Sequence, residues 1–91
     1  MAKDIHLYSS RLCPYCTQAK RLFDQKGLKY RELLVDGNPE LRQEAMQRSG
    51  QRTVPQIWVG DTHVGGCDDL FDLERVGALD GLLESEQITN I

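Results

Sequence analysis

No apolar run in this 91-residue chain approaches the ~18 residues of a membrane-spanning helix. The opening segment, residues 1–6 (M-A-K-D-I-H), also lacks the apolar centre of a secretion signal, so the expectation is a cytoplasmic protein. Basic excess is missing too: 11 Lys plus Arg stand against 14 Asp plus Glu, a net charge of −3. Such a balance argues against nucleic-acid or membrane-surface partners, which normally demand a basic patch. Cysteines number only three, whereas a disulfide-stapled secreted module shows an even and larger set. Repeats, linkers and low-complexity stretches are absent. At 40% apolar and 27% charged residues the chain is no disordered segment. It has room for one domain with one small core.

What is there reads as strands and helices in the order β-α-β-α-β-β-α. Asp4 to Ser9 predicts a strand in which Ile5 and Leu7 alternate with His6 and Tyr8. Pro14 to Lys26 carries Cys16, Ala19, Leu22 and Phe23 at helical spacing, with Gly27 as the stop. Leu28 to Val35 predicts a second strand. Asn38 then Pro39 predicts a helix entrance, and that helix runs to about Ser49 with Leu41, Ala45 and Met46 inward. Gln56 to Val59 and Thr62 to Gly65 predict a hairpin turned at Gly60-Asp61. Asp68 to Val76 predicts a further helix, and Leu79, Leu82 and Leu83 one more helical turn. Residues 1–84 are the expected domain, and the mostly polar 85–91 the expected frayed tail. The pattern fits an α/β fold with a four-stranded mixed sheet and helices on both faces.

Cys13-Pro14-Tyr15-Cys16 is the chemical centre of this pattern. Pro14 suits the first helical position, which puts Cys13 at the N-cap and Cys16 one turn in. A Cys13 thiolate there accepts N–H donors from Tyr15 and Cys16 and feels the positive helix end. Cys13 is then the nucleophile and the more buried Cys16 the resolving thiol. A stabilised thiolate is also a better leaving group, which speeds displacement of Cys13 from a mixed disulfide. Zinc is the rival reading, since Cys13, Cys16, His63 and Cys67 spell C-x2-C…H-x3-C. A structural zinc normally holds together a chain that lacks a core, and this chain has the residues for one. No metal is therefore expected. His6, His63 and Trp58 read as strand residues without chemistry.

Three motifs in order, C-P-Y-C at Cys13 to Cys16, T-V-P at Thr53-Val54-Pro55 and G-G-C-D-D at Gly65 to Asp69, resemble the glutaredoxin family. The likeness is to its small bacterial dithiol members and covers nearly the whole chain. It implies a thioredoxin fold with strand order 2-1-3-4 and glutathione-dependent reduction of disulfides. By the same resemblance Pro55 is cis and leaves the Val54 backbone to pair with extended glutathione. Thr53, Gly66, Cys67, Asp68 and Asp69 then belong to the glutathione site. Helix amides there take the γ-glutamyl carboxylate, and an Asp takes its ammonium. Tyr15 flanks the ligand, and Cys67 itself reads as a buried bystander to the chemistry.

Family members commonly carry Lys three residues before the first cysteine, where this chain has Ser10. Arg11, Arg42 and Arg52 are the cations available for the glycyl carboxylate instead, and Arg42 matches a position that family members use. The implied partners are glutathione and disulfide-bonded or glutathionylated proteins, ribonucleotide reductase among the family-level clients, with the chain acting as a monomer. Two other classes of reading stand beside this one. The first is a metal module, with zinc or an iron–sulfur cluster shared through Cys13 and glutathione. The second is an electron donor served by thioredoxin reductase.

Overall fold

The computed structural model describes residues 4–84. Its elements are β1 (Ile5–Ser9), α1 (Pro14–Gln25), β2 (Arg31–Leu34), α2 (Pro39–Ser49), β3 (Gln56–Val59), β4 (Thr62–Gly65), α3 (Cys67–Arg75) and α4 (Ala78–Glu84). The sheet order is β2-β1-β3-β4, with β1 parallel to β2 and antiparallel to β3, and β3 antiparallel to β4. This is the order expected of a thioredoxin fold. The expected tail, 85–91, lies outside the described residues.

Each face of the sheet has its own core. On one, Ile5, Leu7, Ile57 and Val59 meet Ala19, Leu22 and Phe23 of α1, Leu70 of α3, and Leu79 and Leu83 of α4. Burying Phe23 completely contributes about 1.5–3 kcal/mol. On the other, Tyr8 and Trp58 pack with Val35 and with Ala45 of α2. The simple alternation expected for β1 therefore fails at Tyr8, which is 1% exposed. A strand covered by helices on both sides has no solvent face to write as polar.

The structure corrects several boundaries. The second strand is shorter than Leu28 to Val35, because Leu28 still belongs to the end of α1. Its N–H donates to the Phe23 carbonyl at 2.9 Å, and Gly27, at φ 69°, makes the turn that permits this. Tyr30 tilts against Phe23 at 5.2 Å between ring centroids before the ladder begins. The third helix starts at Cys67 rather than Asp68, since Gly66 is its N-cap. The final cluster of leucines belongs to a helix of seven residues, not a single turn.

Candidate active site

The strand order brings the three motifs together. Because β1 and β3 are antiparallel, with Tyr8 opposite Gln56, the end of β1 lies beside the start of β3. The loop leading to Cys13 and the segment Thr53–Pro55 therefore emerge at the same edge. Ile57 lies opposite Gly65, so the end of β4 arrives there too and hands the chain to α3. Motifs at residues 13–16, 53–55 and 65–69 meet for a purely topological reason.

Cys13 is the N-cap of α1, with Pro14 at the first helical position. Its sulfur accepts the Cys16 N–H at 3.3 Å, and its thiol donates to the Val54 carbonyl at 3.5 Å. Of the two expected amide donors, the geometry supplies Cys16. Cys13 is partly accessible, whereas Cys16 is fully buried. Burial pushes the Cys16 thiol up to about 12, and the neighbouring Cys13 sulfur adds to the effect. Burial likewise raises the Cys67 thiol, and Asp68 beside it raises it further.

These differences predict selective alkylation. A thiol titrating near 12 is about one part in ten thousand thiolate at pH 8. Iodoacetamide near neutral pH is expected to add one group, on Cys13, as read by peptide mass spectrometry. Cys16 should react only as the pH climbs toward its raised value or the chain unfolds. Comparable labelling of Cys16 or Cys67 in the folded protein would refute the assigned order of accessibility.

Beside Cys13 runs a groove of about 260 Å³ lined by Tyr15, Gln51, Thr53, Val54, Pro55, Gly66, Cys67, Asp68 and Asp69. The Val54–Pro55 bond is cis. The two aspartates part company here. Asp69 turns back to accept the Gly66 N–H at 3.0 Å, which closes the start of α3. Asp68 is exposed at the groove, next to the amides of the first turn of α3. Gln51 was not among the residues expected at the site. It lies just before Thr53, and no motif marks it.

Ser10, at the position where a Lys was expected, donates to Asp36 at 2.8 Å, and the Arg11 N–H donates to the same carboxylate at 2.7 Å. These hydrogen bonds, with Arg11 and Arg42 close by, hold the Asp36 carboxyl below its usual range. The charges of Arg11 and Arg42 are felt at Asp36, and neither residue lines the groove itself. Arg52 is exposed in the segment before Thr53. Leu12, 93% exposed beside Cys13, and Tyr15, 58% exposed, give Cys13 an apolar rim, and no motif marks Leu12 for it.

His63 stacks on Trp58 with ring centroids 4.6 Å apart, and its Nε2 lies 2.7 Å from Oε1 of Gln56. On the far side of Trp58, the Arg48 guanidinium lies 4.2 Å from the ring centroid. His63 thus joins Trp58 and Gln56 across the hairpin. Among the described residues, no three His, Cys, Asp or Glu side chains come together as a metal-binding group.

A partly accessible thiol at a helix N-terminus, a buried thiol one turn in and a cis-proline alongside define a thioredoxin-fold thiol oxidoreductase. Comparison with known proteins narrows the class. Residues 5–64 match the family profile described as Glutaredoxin. A glutaredoxin of Pseudomonas aeruginosa is 54% identical over 79 residues, covering 87% of this chain and 94% of that one. Glutaredoxin 3 of Escherichia coli K12 is 47% identical over 81 residues, covering 89% and 98%. Among solved structures, a buckwheat glutaredoxin–glutathione complex superposes with a TM-score of 0.83 at 34% identity, covering 91% of this chain and 78% of that one. Glutaredoxin from Brucella melitensis gives a TM-score of 0.82 at 47% identity, covering 93% and 92%. The chain belongs to the glutaredoxin family, glutathione-associated thiol oxidoreductases.

Proposed function

We propose that this protein uses glutathione to reduce protein–glutathione mixed disulfides and protein disulfides, with Cys13 as nucleophile and Cys16 as resolving thiol. The observation that carries the reading is the contrast between the two cysteines. Cys13 is reachable, bonded to an amide of α1 and set beside a peptide-sized groove. Cys16 is sealed beneath it as a thiol.

In the first route the Cys13 thiolate attacks the glutathionyl sulfur, and the client thiolate leaves. A second glutathione thiolate then attacks that sulfur, which forms oxidised glutathione and returns Cys13 as thiolate. The Cys16 N–H stabilises the charge on Cys13 each time it leaves. In the second route Cys13 opens a protein disulfide, and Cys16 must shed its proton before it displaces the client. Two glutathione molecules then reduce the Cys13–Cys16 disulfide. A Cys16 thiol held so high makes the first route the readier of the two.

Glutathione would lie extended along Thr53 and Val54, a form of strand addition, with Tyr15 against it. Its γ-glutamyl carboxylate would meet the first-turn amides of α3 near Gly66 and Cys67, and its ammonium would meet Asp68, since Asp69 is committed to Gly66. Arg42 and Arg11 are the cations proposed for the glycyl carboxylate. The setting is the reducing cytoplasm, the protein acts as a monomer, and ribonucleotide reductase is one client to be tried.

Turnover with glutathione plus glutathione reductase, compared with turnover with thioredoxin reductase, tests the assignment. The expected result is a rate at least about tenfold higher with glutathione, because a groove of this size beside Cys13 suits a short extended peptide. A rate that favours thioredoxin reductase would reassign the protein as an electron donor of another system.

A further inference from the structure

We propose that Gln56 is a positioning residue that fixes the wall of the glutathione groove and so sets affinity for the glutathionyl group without touching the reacting sulfurs. The proposal rests on the glutathione reading above. Gln56 opens β3 directly after Pro55, and its side chain is 1% exposed. A carboxamide so buried must satisfy both of its N–H donors and its oxygen inside the protein.

Its NH2 group donates to the Thr53 carbonyl and to Oε1 of Gln51, each at 3.1 Å, and comes within 3.4 Å of the Thr53 hydroxyl. Its oxygen faces Nε2 of His63 at 2.7 Å. The opposite orientation would set the carboxamide oxygen against the Thr53 carbonyl, acceptor against acceptor. The orientation therefore follows from chemistry, and it requires His63 to carry its proton on Nε2. His63 is itself held on β4 by stacking against Trp58.

One carboxamide thus joins the sheet to Gln51 and Thr53, two residues that line the groove. Residues 51–55 form neither helix nor strand, so they have no ladder of their own to hold them. The Val54 carbonyl that meets Cys13 lies between Thr53 and Pro55, inside this clamped stretch. Loss of the clamp leaves a carbonyl and a carboxamide without their donor and lets the wall of the groove shift. Cys13 belongs to α1 and keeps its Cys16 N–H. The loss should therefore appear in binding and not in the chemistry of the sulfur.

The test is a pair of variants at the two ends of the clamp. Gln56→Met keeps the bulk and removes every hydrogen bond. His63→Phe, on the exposed side, keeps the stack on Trp58 and removes only the N–H that orients Gln56. Steady-state reduction of a glutathionylated peptide should show KM raised about tenfold in Gln56→Met and about threefold in His63→Phe, with kcat within twofold. The iodoacetamide rate at Cys13 should stay within twofold of wild type. His63→Gln, which restores an N–H donor, should bring KM back toward wild type. Unchanged KM in both variants of a wild-type enzyme that does turn over overturns this proposal alone. A parallel fall in kcat and in Cys13 alkylation, which marks general loss of structure, overturns it too. A wild-type protein that shows no glutathione-dependent turnover overturns the functional reading with it.

Discussion

Cys13→Ser is expected to lower kcat/KM for deglutathionylation by more than about a thousandfold, because a serine oxygen cannot form the mixed disulfide on which turnover depends. Cys16→Ser should retain that activity within about threefold and lose reduction of protein disulfides, since only the second route needs an internal thiol. The asymmetry follows from the geometry. Cys13 meets both the Cys16 amide and the Val54 carbonyl, while Cys16 is fully buried. Cys16→Ala serves as a second variant, because a hydroxyl buried at this position carries its own cost. Assays with a glutathionylated peptide and with a disulfide-bonded protein, run on each variant, separate the routes. A Cys13→Ser enzyme with more than about a hundredth of wild-type activity would sink the assignment of the nucleophile.

Gly65→Ala is expected to be strongly destabilising. Gly65 has φ 112°, a conformation that residues with a Cβ rarely adopt. A methyl group there would also overlap the Asp69 carboxylate, lying 2.9 Å from its Cγ. The backbone term costs about 1–3 kcal/mol and displacement of the Asp69 cap about 1 kcal/mol more. For a domain of this length a loss of about 2–4 kcal/mol lowers Tm by on the order of 10–30 °C. The same displacement frees the Gly66 N–H at the end of the groove, so KM for a glutathionylated peptide should rise as well. Adding Asp69→Ala to Gly65→Ala removes the overlap and leaves the backbone term, so the double variant should lose little beyond the single one. Thermal unfolding of the two variants, and of Asp69→Ala alone, measures both parts. The neighbouring Gly66 offers a contrast, because a Cβ there meets only the Pro55 carbonyl at 3.5 Å.

Much of the scaffold was legible from local patterns. The buried face of α1, with Cys16, Ala19, Leu22 and Phe23, is the one its helical spacing predicts. Pro14 and Pro39 mark the first residues of two helices, with Cys13 and Asn38 as caps. The edge of the hairpin at Gly60-Asp61 was equally plain. Legibility failed wherever a distant element changed the local meaning. Tyr8 reads as a solvent-side residue until α2 covers it, where it donates to Glu44 and accepts from Arg48 at 2.9 Å. Leu28 reads as strand until its N–H is found closing α1.

The site divides in the same way. C-P-Y-C, by its place at a strand-to-helix junction, put Cys13 at the helix cap and Cys16 buried one turn in, because capping and burial within one helical turn are local effects. Which aspartate caps α3 depended on how β4 delivers Gly65 and Gly66 to α3: both line the groove, and only the fold decided that Asp69 also accepts the Gly66 N–H. The surroundings of the candidate cations, too, emerged only in three dimensions, where the charges of Arg11 and Arg42 are felt at Asp36 and neither residue lines the groove.

The sequence by itself determined the class of chemistry, since a thiol pair at a helix start carries its reactivity in residues a few positions apart. The tertiary structure alone decided what surrounds that pair. An antiparallel register sets Thr53–Pro55 beside Cys13, and a buried carboxamide on β3 reaches from His63 to Gln51 and Thr53. Contacts of that kind depend on strand order and on the direction of side chains across a sheet, and no local window of sequence contains either.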